Sequence, residues 1–122
     1  MIYVASPYSS DTRIVESQRA AAVARYTSHL IRQGQAAFSP IAHGHFIEEC
    51  VVKGTAPTYR DWLIHGINML RISEEVHVFM LDGWQESQGV SKEISFAENK
   101  QLNIEYISPI GYRRHNEFMS VV

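Results

Sequence analysis

Residues 76–97, VHVFMLDGWQESQGVSKEISFA, decide the fold. Val76, Val78, Phe79, Met80 and Leu81 make an apolar run, β-branched and aromatic enough for a buried central strand. Asp82-Gly83 is a turn signal, and Ser87 or Ser91 is a natural N-cap for the helical pattern that follows. Strand, small-residue turn and helix in that order are half of a βαβ unit. In an open α/β sheet such junctions lie at the carboxyl ends of the strands, where ligands bind. Glu93 falls within the first turn or two of the helix, so a carboxylate is delivered to that edge.

Working outward, the same alternation recurs. Ile2-Tyr3-Val4-Ala5 is a short apolar strand broken by the turn Ser6-Pro7-Tyr8-Ser9-Ser10. Asp11 or Thr12 then opens a helix to about Gln33. Its apolar face is Ala20, Val23, Ala24, Thr27, Leu30 and Ile31, and Gly34 is the expected residue just past its end. Residues 36–39 form a second strand stopped by Pro40. A short helix fits Ile41, Phe46, Ile47 and Val51-Val52, and residues 53–57 read as a loop. A further helix from Thr58 to about Arg71 carries Trp62, Leu63, Ile67, Met69 and Leu70. After the strand at 76–82 and the helix at about 88–100, a last strand covers 104–107, and 109–122 is a polar tail anchored by Phe118, Val121 and Val122. Strands alternating with helices predict a Rossmann-like three-layer α/β sandwich with a mainly parallel sheet of four to five strands, as one domain over 1–122.

Composition narrows the function classes. The 122 residues are 45% hydrophobic and 20% charged, ordinary for a globular domain. With a net charge of −2 and no basic run longer than Arg113-Arg114, duplex nucleic acid is not an expected partner. Small anions remain open, because helix N-termini hold phosphate without net positive charge. The single cysteine, Cys50, has no internal partner and reads as a small apolar residue in a reducing compartment. The first residues lack the pattern of a signal peptide, and no apolar stretch is long enough to span a bilayer. A cytoplasmic protein with no membrane partner is expected.

Chemistry is expected in three loops. In the first, Ser6, Tyr8, Ser9 and Ser10 can bind sugar or phosphate oxygens, or simply cap a helix; neither a dinucleotide fingerprint nor a Walker loop is present. In the second, His43 and His45 are separated by one residue. Without cysteines or an HExxH pattern they fit pocket-lining or backbone-capping histidines better than zinc ligands, so neither metal nor cofactor is expected. His77, within a strand, reads as structural. In the third, Ser87 and the amides near Gly89 form an anion cradle at a helix start. Glu93 stands beside the apolar stripe Val90, Ile94, Ala97, and helix capping competes with catalysis as its explanation.

Taken together, Ile2-Tyr3-Val4-Ala5-Ser6-Pro7-Tyr8, Phe38-Ser39-Pro40-Ile41 with His43, Leu81-Asp82-Gly83-Trp84 with Ser87, and Gly89-Val90 with Glu93 and Ala97 resemble the nucleoside 2-deoxyribosyltransferase-like superfamily. The likeness runs from residue 1 to about 108, nearest to small bacterial and phage proteins beside the deoxynucleoside 5′-monophosphate N-glycosidases. It implies cleavage or transfer at the bond between base and sugar C1′ of a nucleoside or nucleotide. Glu93 is then the nucleophile, Tyr3 its positioning partner, and Ser87 a phosphate-binding serine that tilts the substrate towards a nucleotide and the acceptor towards water. Ser6, Ser9, His43, Asp82, Gly83, Trp84 and Gly89 fall in the substrate-binding loops. Related sequences carry an Asp in the helix before the third strand, at a position that here is near Gly66. Asp61, His65 or His43 takes its part, or the protein binds without efficient turnover. The resemblance also implies a homo-oligomer, with residues 41–52 and the tail as interface material.

Overall fold

The computed structural model describes residues 1–112. Its elements run β1 (Ile2–Ala5), α1 (Arg13–Arg32), β2 (Ala37–Phe38), α2 (Pro40–Cys50), α3 (Tyr59–Arg71), β3 (Glu75–Phe79), α4 (Gln88–Asn99) and β4 (Asn103–Ile107). The four strands form one sheet in the order β2-β1-β3-β4, every pair parallel. Tyr3 of β1 is opposite Phe38 and Val76, and Val78 of β3 is opposite Tyr106.

Side-chain alternation splits the core into two layers, one on each face of the sheet. Tyr3 and Ala5 of β1 and Val76 and Val78 of β3 pack with Leu70 of α3 and Val90 and Ala97 of α4. Ile2, Val4 and Phe79 turn the other way onto Val23, Tyr26 and Leu30 of α1, with Ile41 and Ala42 of α2 alongside. Shifting β1 by one residue would carry Tyr3 to the α1 side, so burial on both faces fixes its direction.

The helix ends follow local chemistry. Thr12, Ser39, Thr58 and Ser87 are the N-caps of α1 to α4, each hydroxyl accepting a backbone N–H of the first turn. Gly34, just past the end of α1, has φ +83°, a conformation that glycine adopts without a Cβ clash. Pro40 not only stops β2 but occupies the first turn of α2, where its missing N–H costs nothing.

Several expectations shift. The third strand ends at Phe79, three residues early, although Met80 N–H still donates to the Ile107 carbonyl at 3.0 Å. On α1, Ala24 and Ile31 face solvent and Tyr26 takes the buried place, because its ring stacks on Phe79 at 4.8 Å. Cys50 is exposed at the end of α2, not packed as an apolar residue. Phe46 and Val52 are also exposed, at 70% and 74%. His77 is structural: its Nδ1 meets the Tyr26 hydroxyl at 2.6 Å and its Nε2 meets Glu75 at 3.0 Å. The tail anchors Phe118, Val121 and Val122, like Arg113-Arg114, lie outside the described residues. Among the described residues no helix is long and apolar enough to cross a membrane.

Candidate active site

Tyr3 is the point from which the site is built. As the second residue of β1 it projects onto the α3–α4 face and is 1% exposed. Its hydroxyl donates to the Glu93 carboxylate, which reaches it from the second turn of α4, ninety residues away in sequence. No acid stands in the first turn of α4, and the N-cap bond there is Ser87 Oγ accepting from Val90 N–H at 3.2 Å. Capping therefore does not account for Glu93, and the competing explanation for this residue drops away.

Burial and the hydrogen bond act on this carboxyl in opposite directions. Enclosure by protein disfavours the charged form and the Tyr3 donor favours it; burial prevails, and the Glu93 carboxyl is pushed up to about 7. An ionised carboxylate at neutral pH is the expectation for a nucleophile of this kind, and here the acid is instead poised between its two forms. Helix-start amides do not hold it down, because it stands beyond the first turn. Burial and the adjacent carboxylate drive the Tyr3 phenol far above its ordinary range, so it remains a hydrogen-bond donor.

From α3, Gly66 presents bare backbone to this pair: a Cβ built there would lie 3.4 Å from Tyr3 Oη. Position 66 therefore adjoins the Tyr3 hydroxyl, and as glycine it holds no side chain. Asp61 has another duty. It is exposed, and its carboxylate accepts the Thr58 N–H at 2.8 Å to complete a capping box at the start of α3.

Beside Tyr3 lies an aromatic cluster only partly foreseen. Phe38 is 6.2 Å from the Tyr3 ring and 5.3 Å from His43, ring centre to ring centre. His43 stacks on His65 at 5.3 Å, and Trp62 meets both edge-on. His65 Nε2 is buried without a hydrogen-bond partner, an uncommon state for a buried polar atom. The i, i+3 spacing of Trp62 and His65 is the sequence signal that would have grouped them. His45 points elsewhere: Tyr8 Oη meets its Nδ1 at 2.8 Å, while Arg13 donates to the same Oη at 2.7 Å and pairs with Glu49. Among the described residues no three His, Cys, Asp or Glu side chains gather as metal ligands.

The remaining predicted residues divide between two loops. Ser6 is 3% exposed with an unpartnered hydroxyl, and Ser9 is exposed. In the loop after β3, Asp82 and Gly83 are exposed, and Gly83 has φ +90°. Trp84 packs inward, 5.7 Å from Tyr106. Ser87 and Gly89 lie at the opening of α4, with the Ser87 hydroxyl committed as acceptor to the cap and free to donate. Arg19, not anticipated, joins the two loops: it donates to the carbonyls of Tyr8 (3.2 Å), Ser9 (2.8 Å) and Asp82 (3.3 Å). A shallow cavity of about 250 Å³ lies away from all this, at the other end of the strands, among Met1, Ile2, Gln35, Ala36, Glu74 and Glu75.

The site is thus a tyrosine-held carboxyl under the sheet, an aromatic wall on one side and two serine-bearing loops. No match is found among curated proteins. A family model does match, over residues 1–108, which span every element from β1 to β4. The chain belongs to the family described as a domain of unknown function, DUF1937.

Proposed function

We propose that the chain cleaves or transfers the N-glycosidic bond of a (deoxy)nucleoside or its 5′-monophosphate, with Glu93 as nucleophile. The carrying observation is the part-buried hydrogen bond from Tyr3 to Glu93, made by an acid with no capping role and a carboxyl pushed up to about 7. The ionised fraction would attack C1′ while the electron pair of the C1′–N bond leaves with the base; water then frees the sugar from Glu93. Tyr3 orients the carboxylate and stabilises its charge. The aromatic wall of Phe38, His43, Trp62 and His65 suits a planar base, and its histidines are the candidates for protonating it. Ser87 and the amides at the opening of α4 suit a 5′-phosphate.

A second reading, a nucleotide-binding module without turnover, draws on the bare Gly66 beside Tyr3 and on Asp61 being occupied at its cap. A panel of deoxynucleosides and their 5′-monophosphates, assayed chromatographically for free base, separates the two. Base release lost in Glu93→Ala supports catalysis. Tight binding with the ligand recovered intact supports the module. We further take the working form as a homo-oligomer that covers exposed Phe46 and Val52, which light scattering in solution tests directly.

A further inference from the structure

Arg19 stands in the second turn of α1, outside the Tyr3–Glu93 pair, yet its guanidinium is spent at the ligand edge of the sheet. Nη1 donates to the carbonyls of Tyr8 and Ser9, at 3.2 and 2.8 Å, and Nη2 to that of Asp82, at 3.3 Å. One side chain thereby links the loop after β1 to the loop after β3, between residues more than seventy apart in sequence. Among the described residues Arg19 has no carboxylate within ion-pair distance, although Arg13 in the same helix has two, Glu16 and Glu49. Its hydrogen-bond acceptors among the described residues are neutral backbone oxygens. The fork of a guanidinium can hold three such acceptors on two segments; a lysine ammonium at the end of a flexible stem cannot hold that geometry.

Gly83 makes room for the bridge. A Cβ there would lie 3.2 Å from Arg19 Nη2, and the φ of +90° already disfavours a side chain. The glycine after Asp82 thus leaves room for the guanidinium at a position whose backbone conformation already favours glycine.

We infer that Arg19 is a positioning residue, setting the gap between the two loops so that the first loop and the opening of α4 face a common ligand. For its consequence in catalysis this rests on the glycosidase reading; for the loops themselves it does not. The bridge is made with backbone atoms, so it constrains where the chain runs, not which side chains it carries. Ser9, Ser87 and Gly89 approach the ligand only as far as that spacing allows.

The test uses the full chain as wild type, Arg19→Lys, Gly83→Ala and the double variant. Hydrogen exchange is followed at three loop amides that have acceptors here: Ser10 (Glu16 carboxylate), Trp84 (Leu81 carbonyl) and Glu86 (Gly83 carbonyl). Each single variant is expected to speed exchange at these amides about tenfold while the interiors of α1 and β3 keep their protection. The double variant is expected to exchange at least as fast as Gly83→Ala alone, which adds backbone strain of its own at φ +90° to any loss of the bridge. With 2′-deoxyadenosine 5′-monophosphate as probe, KM is expected to rise about tenfold and kcat to change less than about threefold. Wild-type exchange in Arg19→Lys would overturn the inference, since charge alone would then suffice. Uniform acceleration through α1 and β3, or loosened loops with an unmoved KM, would overturn it as well. A wild type that releases no base removes the glycosidase reading, and the exchange data then decide the bridge on their own.

Discussion

Replacing Glu93 by Gln should make the protein more stable above neutral pH. The Glu93 carboxyl moves from its ordinary 4.5 to about 7 in the fold, chiefly because burial penalises its charge. A folded-state value above the unfolded one means the native protein holds this proton more tightly. The associated stability is complete below the unfolded value and is lost as pH climbs through about 7. At about 1.4 kcal/mol per unit, the loss is on the order of 3 kcal/mol. Gln keeps the shape and still accepts from Tyr3 but never ionises, so it escapes this loss. The two proteins should be nearly matched at about pH 4 and should differ by roughly 3 kcal/mol at about pH 8, with Glu93→Gln the more stable. For a chain of this size that is on the order of 10 °C in Tm. Thermal and urea unfolding followed by circular dichroism across this range measures it, and taking the difference cancels the titration of the histidines. A difference that stays flat with pH, or a Gln variant less stable at the alkaline end, would refute the claim that a buried, tyrosine-held carboxyl sits here.

Two further outcomes follow from the same geometry. Base release should rise with pH through about 7 as Glu93 ionises; Tyr3→Phe removes the one interaction that lowers this carboxyl, so the limb should move to higher pH and kcat fall by about 10–100-fold, read from a pH–rate profile. Asp61→Ala should cost about 1 kcal/mol through the lost capping box of α3, with base release following only the folded fraction, checked by unfolding curves beside the chromatographic assay.

What the sequence made legible was whatever depends on local chemistry. Thr12, Thr58 and Ser87 mark helix starts because their hydroxyls accept nearby N–H groups, and Gly34 marks a helix end because of its backbone freedom. The apolar run at β3 announced a strand covered on both faces, and the order of elements then implied the parallel sheet. Tertiary partners were less visible. Tyr26 displaces Ile31 from the predicted face because Phe79 and His77, fifty residues on, supply a stack and a hydrogen bond. The capping box of Asp61 was not read from the sequence; its bond to Thr58 N–H is seen only in the fold. Arg19 could not be found by pattern at all, since its partners are carbonyls that every residue carries. Pairing Glu93 with Tyr3 is an expectation of the resemblance alone, whereas their hydrogen bond is a feature of the fold.

The strand order β2-β1-β3-β4 has a kinetic consequence. β1 lies at the centre of the sheet, yet its neighbours begin at Ala37 and Glu75, so neither flank can zip from a hairpin. Closing those long loops costs entropy before any ladder repays it, which makes a slow, high-contact-order nucleus. Tyr3 meets Glu93 only across the long β1–β3 closure, so a fragment ending before α4 would carry the tyrosine and lack its acid. Recovery of the tyrosine–carboxyl contact during refolding should therefore report formation of long-range β1–β3 structure, not local collapse.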